Sequence, residues 1–205
     1  MRKLVIDCAT EACSVALIDD GELIAGEFAL LGRGHAERLV PMISALPEKG
    51  RADEIAVDIG PGSFTGIRVG LAAARALGLA WSARVTGFES LSLVAAMALA
   101  KQPGRPVDVC MTGGHGEWFF QPFSADGSPL APLTSLAPDV AASRTIAGLI
   151  AGSQAIALAS RCPGAVALDI RPDARQADLL DDRAFCADPR PSYGRAPDAR
   201  LPSAA

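Results

Sequence analysis

The sequence predicts an α/β fold in two units, and three observations lead there. Over residues 1–101, short apolar runs rich in β-formers alternate with stretches of helical spacing, in the order βββ-α-β-α-β-α. Next, Gln102-Pro103-Gly104-Arg105-Pro106 has the composition of a linker. After it a second set of strand-like runs begins, giving a smaller α/β unit over 102–205 that ends in an extended tail. At 205 residues, half of them hydrophobic, the chain can form one domain or two small ones.

Taken in order, Lys3–Cys8, Cys13–Ile18 and Leu23–Leu30 read as three antiparallel strands. Asp19-Asp20-Gly21-Glu22 joins the last two, with Gly supplying a positive φ. His35–Leu46 places Leu39, Val40, Met42, Ile43 and Leu46 at helical spacing, and Pro41 within it predicts a kink or a late start. Glu54–Ile59 is a strand, a short strand follows at Arg84–Thr86, and Phe88–Ala100 is a helix buried on most sides because it is almost uncharged. In the second unit, Val107–Met111 and Glu117–Phe123 form a hairpin around Gly113-Gly114-His115-Gly116. Beyond it the signals are weaker: apolar runs at Ala155–Ala159 and Ala165–Ile170, a helix near Ala174–Phe185, and an extended, Pro-containing tail from Asp188. No repeat is visible in the sequence.

The most informative stretch is Asp58–Trp81. A strand ends in the turn Gly60-Pro61-Gly62, and Ser63 or Thr65 can cap the helix that follows. Within that helix Gly66, Gly70, Ala74 and Gly78 are four residues apart and form one ridge nearly free of side chains. Each Gly costs about 0.8–1.0 kcal/mol of helix propensity relative to Ala, so another backbone must approach the ridge closely. Either that backbone is a helix of the same domain, or the ridge is a subunit interface with a helix of a second chain, drawing on Gly66, Arg68, Val69, Gly70, Ala73, Ala74, Leu77 and Gly78. Arg68 and Arg75 break the apolar run and exclude a membrane span.

Composition narrows the function classes. A net charge of −4 argues against a chain that grips nucleic acid unaided. The five cysteines, with no C-x-x-C pair, read as buried thiols of a reducing compartment, and no signal-like segment opens the chain, so a cytoplasmic location is expected. The two histidines, His35 and His115, stand in no metal-binding pattern, so no metal held by this chain is expected. Ser63 sits in Gly-x-Ser-x-x-Gly, one residue off nucleophile-elbow spacing, which leaves a serine hydrolase paired with His35 or His115 as an alternative. Asp7 and Asp58 both end apolar strands. With Thr10, Gly60 and Gly62 they either face a nucleotide phosphate or its metal, or only cap their turns.

These residues also carry a resemblance. Ile59-Gly-Pro-Gly-Ser-Phe-Thr-Gly-Ile-Arg-Val-Gly-Leu71 closely resembles the signature of the TsaB family, partner subunits in bacterial tRNA threonylcarbamoyladenosine synthesis. Leu4–Leu17 is similar to that family's opening strands, His35–Ile43 to its first helix, and Tyr193-Gly-Arg-Ala-Pro-Asp-Ala199 to its tail. The resemblance implies an actin-like fold (ASKHA, ribonuclease H-like) in two lobes, the second reduced. It implies a non-catalytic subunit that binds and activates TsaD, the metal-bearing transferase acting on the tRNA adenosine next to the anticodon, with the ATPase TsaE joining the pair. ATP or ADP and a metal are then expected in the complex through TsaD and TsaE and not in this chain. A homodimer is expected when the chain is alone, with tRNA met only through the complex and no membrane involved. A stand-alone peptidase-like hydrolase and a nucleotide-binding module are the alternatives. One segment departs from the family pattern: Met111-Thr-Gly-Gly-His-Gly-Glu-Trp-Phe119 lacks the Asp-Ala-Arg expected before the Gly-Glu-aromatic turn.

Overall fold

The computed structural model describes residues 1–194. The first lobe is built on a five-stranded sheet of order β3-β2-β1-β4-β5. Its strands are β1 (Arg2–Asp7), β2 (Ala12–Asp19), β3 (Glu22–Leu30), β4 (Glu54–Asp58) and β5 (Arg84–Phe88). The antiparallel meander forms as expected, and Asp20 (φ 47°) and Gly21 (φ 84°) make its two-residue turn. β4 and β5 then add in parallel beside β1, each through a helical crossover. The first crossover contains α1 (His35–Ala45), which starts at His35 and runs through Pro41. The second is α2 (Phe64–Trp81). Leu4, Ile6, Val15 and Leu17 on one face of the sheet meet Leu39, Met42, Ile67 and Leu71 of these helices in the main core.

The second lobe repeats that topology. Its strands are β6 (Val107–Gly114), β7 (Glu117–Phe123), β8 (Thr134–Leu136), β9 (Leu149–Ala151) and β10 (Val166–Leu168), in the order β8-β7-β6-β9-β10. Again an antiparallel meander is followed by two parallel strands. The crossover helices are α4 (Pro138–Arg144) and α5 (Ala155–Ala159). With 5 residues against the 18 of α2, α5 shows how far this lobe is reduced. The repeat is one of topology and left no mark in the sequence.

Helix α3 (Ser90–Lys101) joins the lobes. Leu93 and Met97 pack on Val5, Ala56 and Phe88 of the first lobe, whereas Leu91, Val94, Ala95 and Ala98 pack on Val107, Val109 and Phe119 of the second. Serving two cores explains the lack of charge along it.

The end of the described chain does not stay with the second lobe. Ala174 N donates to Ser14 Oγ at 2.9 Å, Gly87 and Cys186 exchange backbone hydrogen bonds, and Ser192 N donates to the Ile59 carbonyl at 2.8 Å. A division at residue 101 therefore assigns to the second unit a segment, roughly 170–194, that completes the first. The helix expected near Ala174–Phe185 is two 3-10 turns, Ala174–Leu179 and Asp182–Ala184, because Asp173 and Asp181 cap such turns with their own side chains. The tail resemblance beyond Gly194 lies outside the described residues.

Ser63 is the cap of α2: its Oγ accepts from Gly66 N at 3.3 Å. Ser63→Ala is expected to lower folding stability by about 1 kcal/mol, read as a shift of the urea midpoint at unchanged slope.

Candidate functional site

Three faces of helix α2 have different neighbours. The small-residue ridge faces inward. A Cβ at Gly66 would stand closer than 3.0 Å to the Cys8 carbonyl, one at Gly70 would lie 2.9 Å from Cys8 Sγ, and one at Gly78 would lie 2.5 Å from Val85 Cγ2. Ala74 is fully buried in the main core. Gly66 thus meets the backbone just past this chain's own β1, Gly70 the Cys8 thiol and Gly78 the Val85 side chain of β5, so the helix or second chain expected along Gly66, Gly70, Ala74 and Gly78 is corrected to an intramolecular seam against the sheet. Any second chain is shut out there because the sheet already fills the groove.

The next face carries the two arginines. Arg68 Nε donates to the Tyr193 hydroxyl at 3.0 Å, and Arg75 Nη2 donates to the Pro189 carbonyl at 2.8 Å. Tyr193 stacks on Phe64 with ring centroids 4.3 Å apart. Arg68, expected at an interface, instead holds the returning segment of its own chain.

Ala72, Leu79 and Ala80 face open space, and the face toward α1 is open as a groove. A groove of about 460 Å³ runs between the helices, lined by Val40 and Ile43 of α1 and by Ala73, Ala76, Leu77 and Trp81 of α2, with Glu48, Lys49 and Arg51 at one end. Val40 is 58 % exposed. Val69, Ala73 and Leu77 are half-buried and pack on the main core from this side. Of the interface residues expected from the sequence, Ala73 and Leu77 therefore line an open apolar groove. Val40, Ile43 and Trp81 line it with them; Val40, expected in the apolar stripe of α1, lies outside the buried one formed by Leu39, Met42 and Ile43.

The strand-end carboxylates do meet. In the parallel β1–β4 pairing, Ile6 stands beside Val57, which brings Asp7 and Asp58 side by side at the strand ends. Neither faces open space, for Asp7 is fully buried and Asp58 almost so. Asp58 accepts from Ser90 Oγ at 2.7 and 2.9 Å and from Gly60 N at 2.7 Å, while Asp7 Oδ1 accepts from Ala9 N at 3.2 Å. Asp7 Oδ2 is buried beside Asp58 with no hydrogen-bond partner among the described residues. Burial, followed by the charge of Asp58, pushes the Asp7 carboxyl well above the usual range; burial likewise pushes Asp58 up to about 7, against the pull of Ser90 and Gly60. Over them lies the Gly60–Gly62 turn, which contains a cis Gly60–Pro61 bond. Gly62 sits so close to the Ala9 carbonyl that a Cβ has no room, and Ser63 N donates to that carbonyl at 2.6 Å. Thr10 Oγ1 accepts from Ala12 N at 3.2 Å within its own turn. In this structure Asp7, Thr10, Asp58, Gly60 and Gly62 are thus gathered as expected, but packed against one another and not around a cleft.

Comparison with known proteins agrees with this architecture. The family model described as TsaD, tRNA N6-adenosine threonylcarbamoyltransferase, matches residues 29–142. The TsaB protein of tRNA threonylcarbamoyladenosine biosynthesis from Escherichia coli K12 is 37 % identical over 131 residues, covering 62 % of this chain and 56 % of that protein. The structure of YeaZ from Pseudomonas aeruginosa superposes with a TM-score of 0.78 at 26 % identity, over 94 % of this chain and 99 % of that one. The chain belongs to the TsaB family. The aligned region spans about half the length of the curated TsaB relatives it matches. Likeness in fold alone extends to the ethanolamine utilization protein EutJ of Carboxydothermus hydrogenoformans, at a TM-score of 0.52 and 12 % identity over 87 % of this chain and 88 % of that one. The two-lobed actin-like fold expected from the resemblance is the fold observed.

In this TsaB-family chain the segment that departs from the family pattern is the β6–β7 turn. Thr112 N donates to Ser153 Oγ at 3.1 Å and Gln154 Nε2 donates to Thr112 Oγ1 at 2.8 Å, so β6 is tied to the start of α5. His115 occupies the turn with φ 52°. Ser63 is engaged as a helix cap, and His35 Nε2 hydrogen-bonds the Ala12 carbonyl at 3.2 Å. The structure records no bond between Ser63 and His35. Among the described residues, no helix is long and apolar enough to cross a membrane.

Proposed function

We propose that this chain is a partner subunit in tRNA threonylcarbamoyladenosine biosynthesis: it docks on a TsaD transferase through the α1–α2 groove and activates it without performing the chemistry. The observation that carries the reading is the open apolar groove of about 460 Å³ between α1 and α2, lined by Val40, Ile43, Ala73, Leu77 and Trp81, with the exposed Leu79 also on α2. Membership in the TsaB family supports the pathway, and the matching transferase model supports a partner of the same fold. Two related helices can lay an apolar stripe into such a groove with only aliphatic and aromatic contacts. TsaE would join the assembled pair, ATP or ADP and the metal would enter through TsaD and TsaE, and tRNA would be met through the complex. Alone, the chain would cover the same groove with a second copy.

Light scattering of the chain alone and mixed with its cognate TsaD tests docking, and a tRNA modification assay tests activation. The expected result is a heterodimer and modification that requires both proteins. Val40→Asp sets a charge in the groove at an exposed position, so it should leave stability within about 0.5 kcal/mol of wild type. Its affinity for TsaD should fall at least about tenfold, since a carboxylate would be desolvated on docking. Undiminished binding by Val40→Asp removes the groove from the interface. Modification of tRNA by the purified chain alone overturns the subunit reading.

A further inference from the structure

A larger cavity, about 710 Å³, opens where α3, the 125–129 turn of the second lobe and the returning segment at 179–186 come together. It shares no residue with the α1–α2 groove. Ile59, Phe88, Leu99, Leu180 and Phe185 give it apolar walls, and Ala96 lies on the α3 side. Residues 89, 92, 96 and 99 follow helical spacing, so one stripe of α3 forms that wall.

Glu89 stands at the head of this stripe. It occupies the N-cap position of α3, yet its side chain makes no cap hydrogen bond. It is half-buried, and among the described residues no donor or cation reaches its carboxylate. The other charged groups at the cavity have hydrogen-bond partners. Arg183 Nε and Nη2 fork onto Asp181 at 2.8 and 3.3 Å, and Asp126 accepts from Ser128 N at 3.1 Å and from Ser124 and Ser128 hydroxyls. Glu89 is therefore, among the described residues, the charged group of the cavity that has neither a hydrogen-bond donor nor a cation of its own. Burial holds its carboxyl above the usual range, as expected for a group that has lost water and gained no partner.

We propose that this cavity binds a small organic cation, an ammonium group on an apolar body, with Glu89 as the counter-charge. The volume lies within the roughly 300–1,000 Å³ range of small-molecule pockets. An apolar body would cover Leu99, Leu180 and Phe185, which are half-buried, and the ammonium would supply the donors that Glu89 lacks. Asp126, Asp181 and Glu89 against a single Arg183 turn away anions. Walls from three separate chain segments favour a free small molecule over a lysine reaching in from another protein.

Hexylammonium is the probe, titrated into the isotope-labelled full chain and followed by backbone amide shifts. Saturable shifts confined to the vicinity of Ser92, Gly127 and Cys186 are expected. Hexanol, with the same body and no charge, should bind at least about tenfold more weakly, and hexanoate should not bind. Glu89→Gln should bring hexylammonium down to the level of hexanol while the melting curve stays at wild-type temperature. Ala96→Phe, which fills the cavity, should abolish binding of both. No saturable shift with hexylammonium, equal binding of hexanoate, or undiminished amine binding by Glu89→Gln overturns the proposal.

Discussion

Gly66→Ala is expected to lower folding stability by about 3 kcal/mol or more, the range in which overpacking forces the backbone to move. On an exposed helix the same change would be favourable by about 1 kcal/mol. The sign reverses because the added carbon would lie within 3.0 Å of the Cys8 carbonyl, and that carbonyl lies in the backbone just past β1 and cannot swing aside as a side chain can. Cys8 Sγ also donates to the Gly66 carbonyl at 3.2 Å, so the two backbones are joined where they touch. Urea unfolding checks this, with Ala76→Leu as the companion. Ala76 is exposed and lines the groove, so Leu there should leave stability within about 0.5 kcal/mol of wild type. Binding of TsaD should respond in the opposite order, altered by the Ala76 change and preserved in whatever fraction of Gly66→Ala stays folded. A Gly66→Ala chain as stable as wild type but unable to bind TsaD would return the ridge to the interface.

The first lobe was legible in the sequence for a physical reason. Its strands and helices are long enough for period and punctuation to speak, as in the alternation from Lys3 to Leu30, the Asp20–Gly21 turn and the Ser63 cap. The second lobe contains strands of three residues and a helix of five, too short for either period to register. Its topology copies the first lobe, but topology is held by pairing partners far apart in sequence, and no local pattern reports them. The same limit hid the return of Ala174–Tyr193 to the first lobe, which rests on contacts far apart in sequence, with Ser14, Ile59, Arg68, Arg75 and Gly87.

For the site, spacing gave the close approach along Gly66, Gly70, Ala74 and Gly78 but could not say whose backbone approaches. A stripe of small residues is the same stripe whether a sheet or a second chain lies on it. The structure answers through the Cys8 carbonyl and Val85. Glu89 and the cavity around it left no local signal at all, since its walls come from residues 59, 88–100, 125–129 and 179–186.

The Asp7–Asp58 pair should make stability fall as pH rises. Both carboxyls are held above their ordinary range by burial, so the folded chain binds more protons than the unfolded one and is favoured at low pH. For a raised carboxyl, that contribution is fully present below the unfolded value of about 4 and is lost as pH climbs through the folded value. For Asp58, pushed up to about 7, the loss by pH 9 is on the order of 4 kcal/mol. Asp7 adds to it in the same direction. Its Oδ2 is buried with no hydrogen-bond partner among the described residues, which disfavours the charged form. The neighbouring charges, Asp173 toward Asp7 and Glu89 toward Asp58, are also acidic and steepen the fall. Asp7→Asn keeps a donor toward Asp58 without a titrating proton. Its unfolding free energy should therefore match wild type near pH 5 and exceed it increasingly between pH 7 and 9. Parallel profiles for the two proteins would mean that Asp7 binds its proton alike in the folded and unfolded chain, and that an outside group must compensate its buried charge where the strands meet.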